Sequence, residues 1–278
     1  MAGVARFGRL FLALARFNLA TELSFRANFL VKLLVEALWL GILLVFYDRI
    51  FLNTRAIAGW TYHEYLFFVG CFYALSGVIE TFFLSGCMEF QEMVRSGDLD
   101  FYLIKPIDEQ FLITARYTDW STLPNIFQGI LVMVYALAHL PLWWENPWWD
   151  LAARCGGFAV LFLCGCVMTY SFLLMLTSTS VWFVRNQSLM ELWWLFTSLM
   201  RYPREIFVGS WASPIGWLFT LGIPVLLVIS MPASTMAKAL DPLYWWLTAL
   251  MVLATVVLFV GSRRFFRYAL QSYRSASS

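Results

Sequence analysis

Of 278 residues, 61% are hydrophobic and 13% charged, with a mean hydropathy of +0.72, which leaves too few polar side chains to clothe a water-soluble globule of this length. That composition excludes a soluble enzyme, and at about 20 helical residues per crossing the length holds about six membrane spans with no second soluble domain. The net charge of +2 comes without a clustered basic patch, so no nucleic acid is expected as a partner.

Taken in chain order, residues 1–26 read as an amphipathic helix. At about 100° per residue, Val4, Phe7, Phe11 and Leu14 fall on one face and Arg6, Arg9 and Arg16 on the other. Such a helix lies in the headgroup layer, and Arg16 interrupts the apolar stretch that a cleaved signal would need. Five apolar runs then have the length of a crossing: 29–47, 65–87, 125–143, 156–177 and 243–261.

Between Arg185 and Leu243 lie Pro203, Pro214, Pro224, Pro232 and Pro242. No unbroken lipid-facing helix passes through that spacing, because each interior proline removes a backbone donor and crowds the preceding turn. Residues 186–200 are expected to form most of a short fifth span. Residues 213–232 are then a re-entrant pair of half-helices broken at Pro224, tolerable only where protein or a water-filled cavity surrounds the turn. The competing reading makes 214–231 the fifth span and puts Arg201 and Arg204 in the cytoplasm. The expected fold is therefore an all-α integral membrane protein, a single transmembrane domain over 1–278 with about six transmembrane helices, an N-terminal interfacial helix and a re-entrant pair before the last span.

Orientation follows from the basic residues. With both termini inside, Arg6, Arg9, Arg16, Arg26, Arg95, Lys105, Arg116, Arg185, Arg263, Arg264, Arg267 and Arg274 face the cytoplasm, and only Arg49, Arg55, Arg154 and Lys238 face out. Trp143, Trp144, Trp148 and Trp149 then mark the outer headgroup zone. Cys71, Cys87, Cys155, Cys164 and Cys166 form no CxxC pair and read as small packing residues. His63 and His139 stand far apart without a carboxylate-rich neighbour, so no metal site is expected.

The longest cytoplasmic stretch, 88–116, opens with a short amphipathic segment, 89–96. It carries Phe90, Met93 and Val94 on one side and Gln91, Glu92 and Arg95 on the other, and Gly97 is placed to cap it in the left-handed conformation. A helix this short needs its own bundle or a partner groove to hold it. Gly97-Asp98-Leu99-Asp100 continues through Leu103 to Pro106, giving a G-x-L-D-x-x-L-x-x-P run. Further on, Arg201-Tyr202-Pro203-Arg204-Glu205-Ile206 gives R-Y-P-x-x-I, followed by Ile223-Pro224 and Met231-Pro232.

In these two runs, and in its hydropathy profile over nearly its whole length, the chain resembles the type-two permeases of ATP-binding-cassette (ABC) transporters, in particular a bacterial subfamily of six-span subunits. It departs from them at Ser210-Trp211-Ala212, where a proline and a basic residue are expected. The resemblance implies an exporter subunit of the bacterial cytoplasmic (inner) membrane. It also implies a coupling helix ahead of Gly97 that docks on a separate ATPase, with Phe90, Gln91, Met93, Val94, Arg95, Gly97, Asp98, Leu99 and Asp100 as its contact residues. Two ATPase subunits and a second permease, identical or related, are the implied partners besides the lipid bilayer. The chain has no G-x-x-x-x-G-K-[ST] loop, so ATP and magnesium are expected on the partner ATPase and no cofactor here. The plainer reading of 89–106 is a solvated loop.

Charge inside a span is costly and usually marks function. Lys32 and Glu36 are spaced to pair on one helix face. Glu80 has no such neighbour in the sequence, so structural hydrogen bonding and pathway lining stand level for it, with Pro203 and Pro224 as further pathway candidates. Two other functions are weighed. A lipid-modifying enzyme would have Asp98, Asp100, Asp108 and Glu109 as its acids, without a histidine or nucleophile pair beside them. A secondary transporter would show inverted repeats that the two halves lack. No catalytic residue is expected.

Overall fold

The computed structural model describes residues 2–24, 26–183, 187–207, 213–239 and 242–273. Arg185, Asn186, Ser210, Trp211, Ala212 and Arg274, with the side chains of Val4, Arg6 and Pro242, lie outside the described set. The architecture is all helical; among the described residues there is no strand beyond a lone antiparallel bridge between Ile57 and Trp60.

The interfacial helix is α1 (Ala2–Ser24) and the first span is α2 (Arg26–Asn53). The second span, α3 (Tyr62–Ile79), runs through a π-helical turn, Glu80–Leu84, straight into α4 (Ser85–Ser96). Two short helices follow, α5 (Asp100–Leu103) and α6 (Glu109–Ala115), then α7 (Leu123–Ala138) and the single turn α8 (Leu142–Glu145). Next come α9 (Trp148–Ser178), α10 (Gln187–Met200), the half-helices α11 (Ser213–Trp217, extended by a π turn to Gly222) and α12 (Leu227–Ala237), and α13 (Pro242–Ser272). Four helical stretches are long and apolar enough to cross a membrane, and the bent α11–α12 pair makes a fifth candidate. The crossings expected at 125–143 and 186–200 are short: α7 has 16 residues and α10 has 14, about 24 and 21 Å at 1.5 Å per residue. Both fall below the roughly 30 Å of a bilayer core.

α3 is the axis of the bundle, buried from Tyr65 through Phe72 and packed against α7, α9 and α12. Its closest approach is to α7. A β-carbon on Gly129 would run into the backbone of Ala74 and Gly70, and one on Gly70 would sit 2.8 Å from the Gly129 carbonyl. This is the small-residue contact that lets two membrane helices touch backbone to backbone where no hydrophobic force drives them together. The interior hydroxyls of α9 are satisfied within their own helix: Thr169, Ser171, Thr177 and Ser178 each donate to the carbonyl four residues back, at 2.6–2.8 Å.

The re-entrant pair takes the form expected of its prolines. α11 and α12 meet at 94° across a four-residue break that contains Pro224. A β-carbon on Gly165, midway along α9, would lie 2.8 Å from the Val228 carbonyl, whereas Thr235 approaches Gly157 nearer the start of α9. α12 therefore starts deep in the bundle and climbs back to the side where α9 begins. Its turn is enclosed by protein: Val225, Leu226, Leu227 and Val228 are each at most 1% exposed, as non-helical backbone at membrane depth requires. Pro203 opens a 3-10 turn, Arg204–Ile206, tied to α12 by the Arg204 amide donating to Ser230 Oγ at 3.1 Å. Trp60, from the α2–α3 loop, donates its indole N–H to Glu205 Oε2 at 3.0 Å and carries the Lys238 ammonium 4.0 Å above its ring. Arg201 to Glu205 thus share a face with the α2–α3 loop, opposite the 88–116 stretch, which sets aside the reading with Arg201 and Arg204 in the cytoplasm.

Gly129→Ala should destabilise the chain by about 1–3 kcal/mol, the usual cost of overpacking a tight contact. Gly156→Ala should be neutral, because nothing lies within 4 Å of a β-carbon there. Thermal unfolding of both variants in the same detergent distinguishes them.

Candidate functional site

Two regions gather the residues that the sequence singles out. The first is the tip beyond the second span. α4 is not a separate short helix over 89–96 but the end of the second span, which the π turn carries past the bilayer. Nothing in the Ser85-Gly86-Cys87-Met88 stretch breaks it. Gly97 ends the helix at φ +84°, and the amides of Gly97 and Leu99 both donate to the Met93 carbonyl, at 3.1 and 3.2 Å.

The apolar face of α4 is spent on the chain itself. Phe90, Met93, Val94 and Leu99 form a small core with Ile113, Leu174 and Phe266. Gln91, Gly97 and Asp100 are half-buried, and Arg95 and Asp98 are exposed, with Arg95 paired to Glu92 at 2.7 Å and Asp98 accepting from Ser96 Oγ at 2.8 Å. The exposed apolar groups at this tip come after the helix, where Phe101 is 66% and Ile104 80% exposed. Sequence reasoning missed them, although the apolar run Phe101-Tyr102-Leu103-Ile104 just beyond the helix was the available signal. Asp108 is not a free acid: it caps α6 by accepting from the Phe111 amide at 3.0 Å and pairs with Arg263 at 3.2 Å.

α1 is anchored to this region. Phe7 meets Phe111 edge-on at 4.8 Å, Asn18 Nδ2 donates to the Arg116 carbonyl at 2.8 Å, and the Trp120 indole donates to the Ala15 carbonyl at 2.9 Å. Glu22 accepts from the Trp120 amide at 2.9 Å; burial there raises its carboxyl above the usual carboxylate range, a shift this hydrogen bond only partly offsets.

The second region is a cavity of about 660 Å³ inside the membrane domain, walled by α2, α3, α10 and the start of α7. α3 contributes Phe72, Tyr73, Ser76 and Glu80, and α10 contributes Trp194, Thr197, Ser198 and Arg201. Both sets have the three- and four-residue spacing of one helix face, so each polar stripe was legible in the sequence once the two helices were known to face each other. Glu36, Trp39 and Phe46 close the side toward α2, and Asp119 and Asn125 the side toward α7. The π turn begins at Glu80, and the Thr81 carbonyl in it accepts from the Asp119 amide at 2.9 Å; such turns inside α-helices often mark functional positions.

The expected pairing of Lys32 with Glu36 is not what forms. Lys32 reaches Asp119 at 3.6 Å and Ser121 Oγ at 3.0 Å, because the loop ahead of α7 presents a carboxylate and a hydroxyl together. No basic nitrogen lies within 4 Å of Glu36 or Glu80 among the described residues. Glu80 lines the cavity; Pro203 and Pro224 do not. A larger cavity of about 1050 Å³, lined by Phe83, Phe158, Phe162 and Tyr170, lies between α6 and α9 and is almost wholly apolar apart from the Asp108–Arg263 end. His63 and His139, distant in sequence, stack at 5.0 Å. Among the described residues no group of three His, Cys, Asp or Glu side chains is placed to hold a metal ion.

With this geometry in view, comparison with known protein families gives one match: the family described as ABC-2 family transporter protein, over residues 37–277. The chain belongs to the ABC-2 transporter family. No curated protein and no solved structure matches it. An ABC-2 chain of this kind is the membrane component of a transporter, generally not itself catalytic, and normally pairs with ATPase subunits. The matched region takes in the tip and all of the cavity lining except Glu36, and begins just after that residue.

Phe90→Ala should cost about 3–5 kcal/mol, because it leaves a void in a closed core, while Phe101→Ala should stay within about 0.5 kcal/mol as a surface change. Chemical denaturation of the two purified variants measures the difference.

Proposed function

We propose that this ABC-2 permease is half of an ATP-driven exporter in the bacterial cytoplasmic membrane, with both termini inside. It works with a second permease subunit and two ATPase subunits that hold ATP and magnesium. The ATPases dock on the cytoplasmic tip, and their closure switches the cavity at Glu80 between inward and outward access.

The observation that carries this reading is the rigid link between the two regions. One helix, α3 through the π turn to α4, runs from Glu80 to Ser96, and Phe101 and Ile104 stand exposed directly beyond it. On this reading the contact surface shifts from the residues the resemblance implies. Phe90, Met93, Val94 and Leu99 hold the tip rigid from within, and Arg95, Asp98, Phe101 and Ile104 meet the ATPase. Two exposed apolar side chains rimmed by charge have the make-up of a docking site. The basic cluster Arg263, Arg264 and Arg267 near the end of α13 supports the inward placement of this end.

The test is purification of the tagged native chain in mild detergent with whatever subunits accompany it, followed by an ATP hydrolysis assay. An ATPase should co-purify, and Phe101→Asp with Ile104→Asp should remove it while leaving the permease monodisperse. A native chain that purifies without any ATP-hydrolysing partner would contradict the proposal.

A further inference from the structure

We infer that the cavity at Glu80 binds an amphiphilic organic cation carrying a protonated amine. This deepens the transport reading by naming its cargo class, and it rests on that reading only for the word cargo; the binding itself does not.

The argument begins with what the cavity lacks. Lys32 is committed to Asp119, and Arg201, at the far end, lies over the Phe72 ring at 5.4 Å from its centroid. Glu36 and Glu80 are left with no basic nitrogen within 4 Å among the described residues, so with both ionised the cavity would carry an excess of one negative charge after Arg201 is counted, a charge that an incoming cation would meet. Carboxylates in hydrocarbon surroundings are costly unless a cation meets them.

A second and independent feature points the same way. Asn125, 4% exposed, lines the cavity together with Glu80, and its carbonyl oxygen Oδ1 has no hydrogen-bond partner; neither has Ser76 Oγ one turn before Glu80 on α3. A buried acceptor without a donor is an unfilled position. Carboxylates and an open amide carbonyl together ask for a group that brings positive charge and N–H donors at once, which is a protonated amine.

The walls supply the rest of the specification. Trp39, Phe46, Tyr73 and Trp194 present aromatic surface, which attracts cations through the ring quadrupole and buries an apolar body. A volume of about 660 Å³ falls within the range of small-molecule sites. Sugars and anions fit poorly: the first would leave the excess charge unmet and the second would add to it.

The experiment uses the full chain in nanodiscs of neutral phosphatidylcholine, titrated with dansylcadaverine, an aromatic fluorophore on an alkyl chain that ends in a protonated primary amine, and read by fluorescence. No ATPase is needed, so its outcome is independent of whether the exporter reading stands. Saturable binding is expected. It should weaken at least tenfold in E80Q, return to within about threefold of native in E80D, and be unaffected by the apolar anion 8-anilinonaphthalene-1-sulfonate. E36Q, on the exposed helix α2, should weaken binding several-fold and serves if E80Q does not fold. Absence of saturable binding to the native chain, equal binding by native, E36Q and E80Q chains, or competition by the anion would each overturn the inference.

Discussion

In hydrocarbon no water is available to satisfy a carbonyl, a hydroxyl or a charge, and the arrangement of this chain depends on that constraint. It explains why the interior hydroxyls of α9 bond to their own helix, why the proline-broken turn at Val225–Val228 is sealed inside the bundle, and why the π-turn carbonyl of Thr81 is met by the Asp119 amide. Among the buried polar atoms left without a partner, Asn125 Oδ1 and Ser76 Oγ lie in one cavity with Glu36 and Glu80, whereas others, such as Gln128 Oε1 and Thr248 Oγ1, lie outside it.

The central helix ties the two working regions together. Glu80 and the tip at Ser96 belong to one rod, clamped along the span by backbone contact at Gly70, Ala74 and Gly129 and at the tip by the core around Phe90. Displacement at the tip therefore has a stiff route to the cavity. The π turn is the one irregularity in that rod, and it sits at the cavity. On the proposed reading, this is where docking and closure of the ATPases are converted into a change of access.

Much of this was legible in the sequence, because apolar runs of fixed length and the spacing of prolines are one-dimensional signals. α1, the long spans and the broken pair at Pro224 follow from them directly. The cavity was legible only in part. Glu80 stood out as a lone charge, but its companions Asp119, Asn125 and Arg201 come from segments whose meeting depends on packing at Gly129 and on the bend at Pro224. Lys32 pairs across the fold with Asp119, not along its helix with Glu36, for the same reason: a partner four residues away is visible in sequence and one 87 positions away is not. At the tip, the amphipathic pattern of 89–96 identified a face to be buried without saying whether this chain or another would bury it. It is this chain that does, and the large apolar side chains left exposed beyond that helix are Phe101 and Ile104.

The account's central claim is that the cavity at Glu80 changes sides when the ATPases close. The most direct test places a cysteine at Ser198, with the exposed Cys155 replaced by serine, in the assembled transporter within sealed proteoliposomes of known orientation, labelled with a membrane-impermeant thiol reagent. Labelling should come from the cytoplasmic side without nucleotide and from the opposite side after the ATPases are trapped closed with vanadate. Labelling from the same side at the same rate in both states would contradict the account.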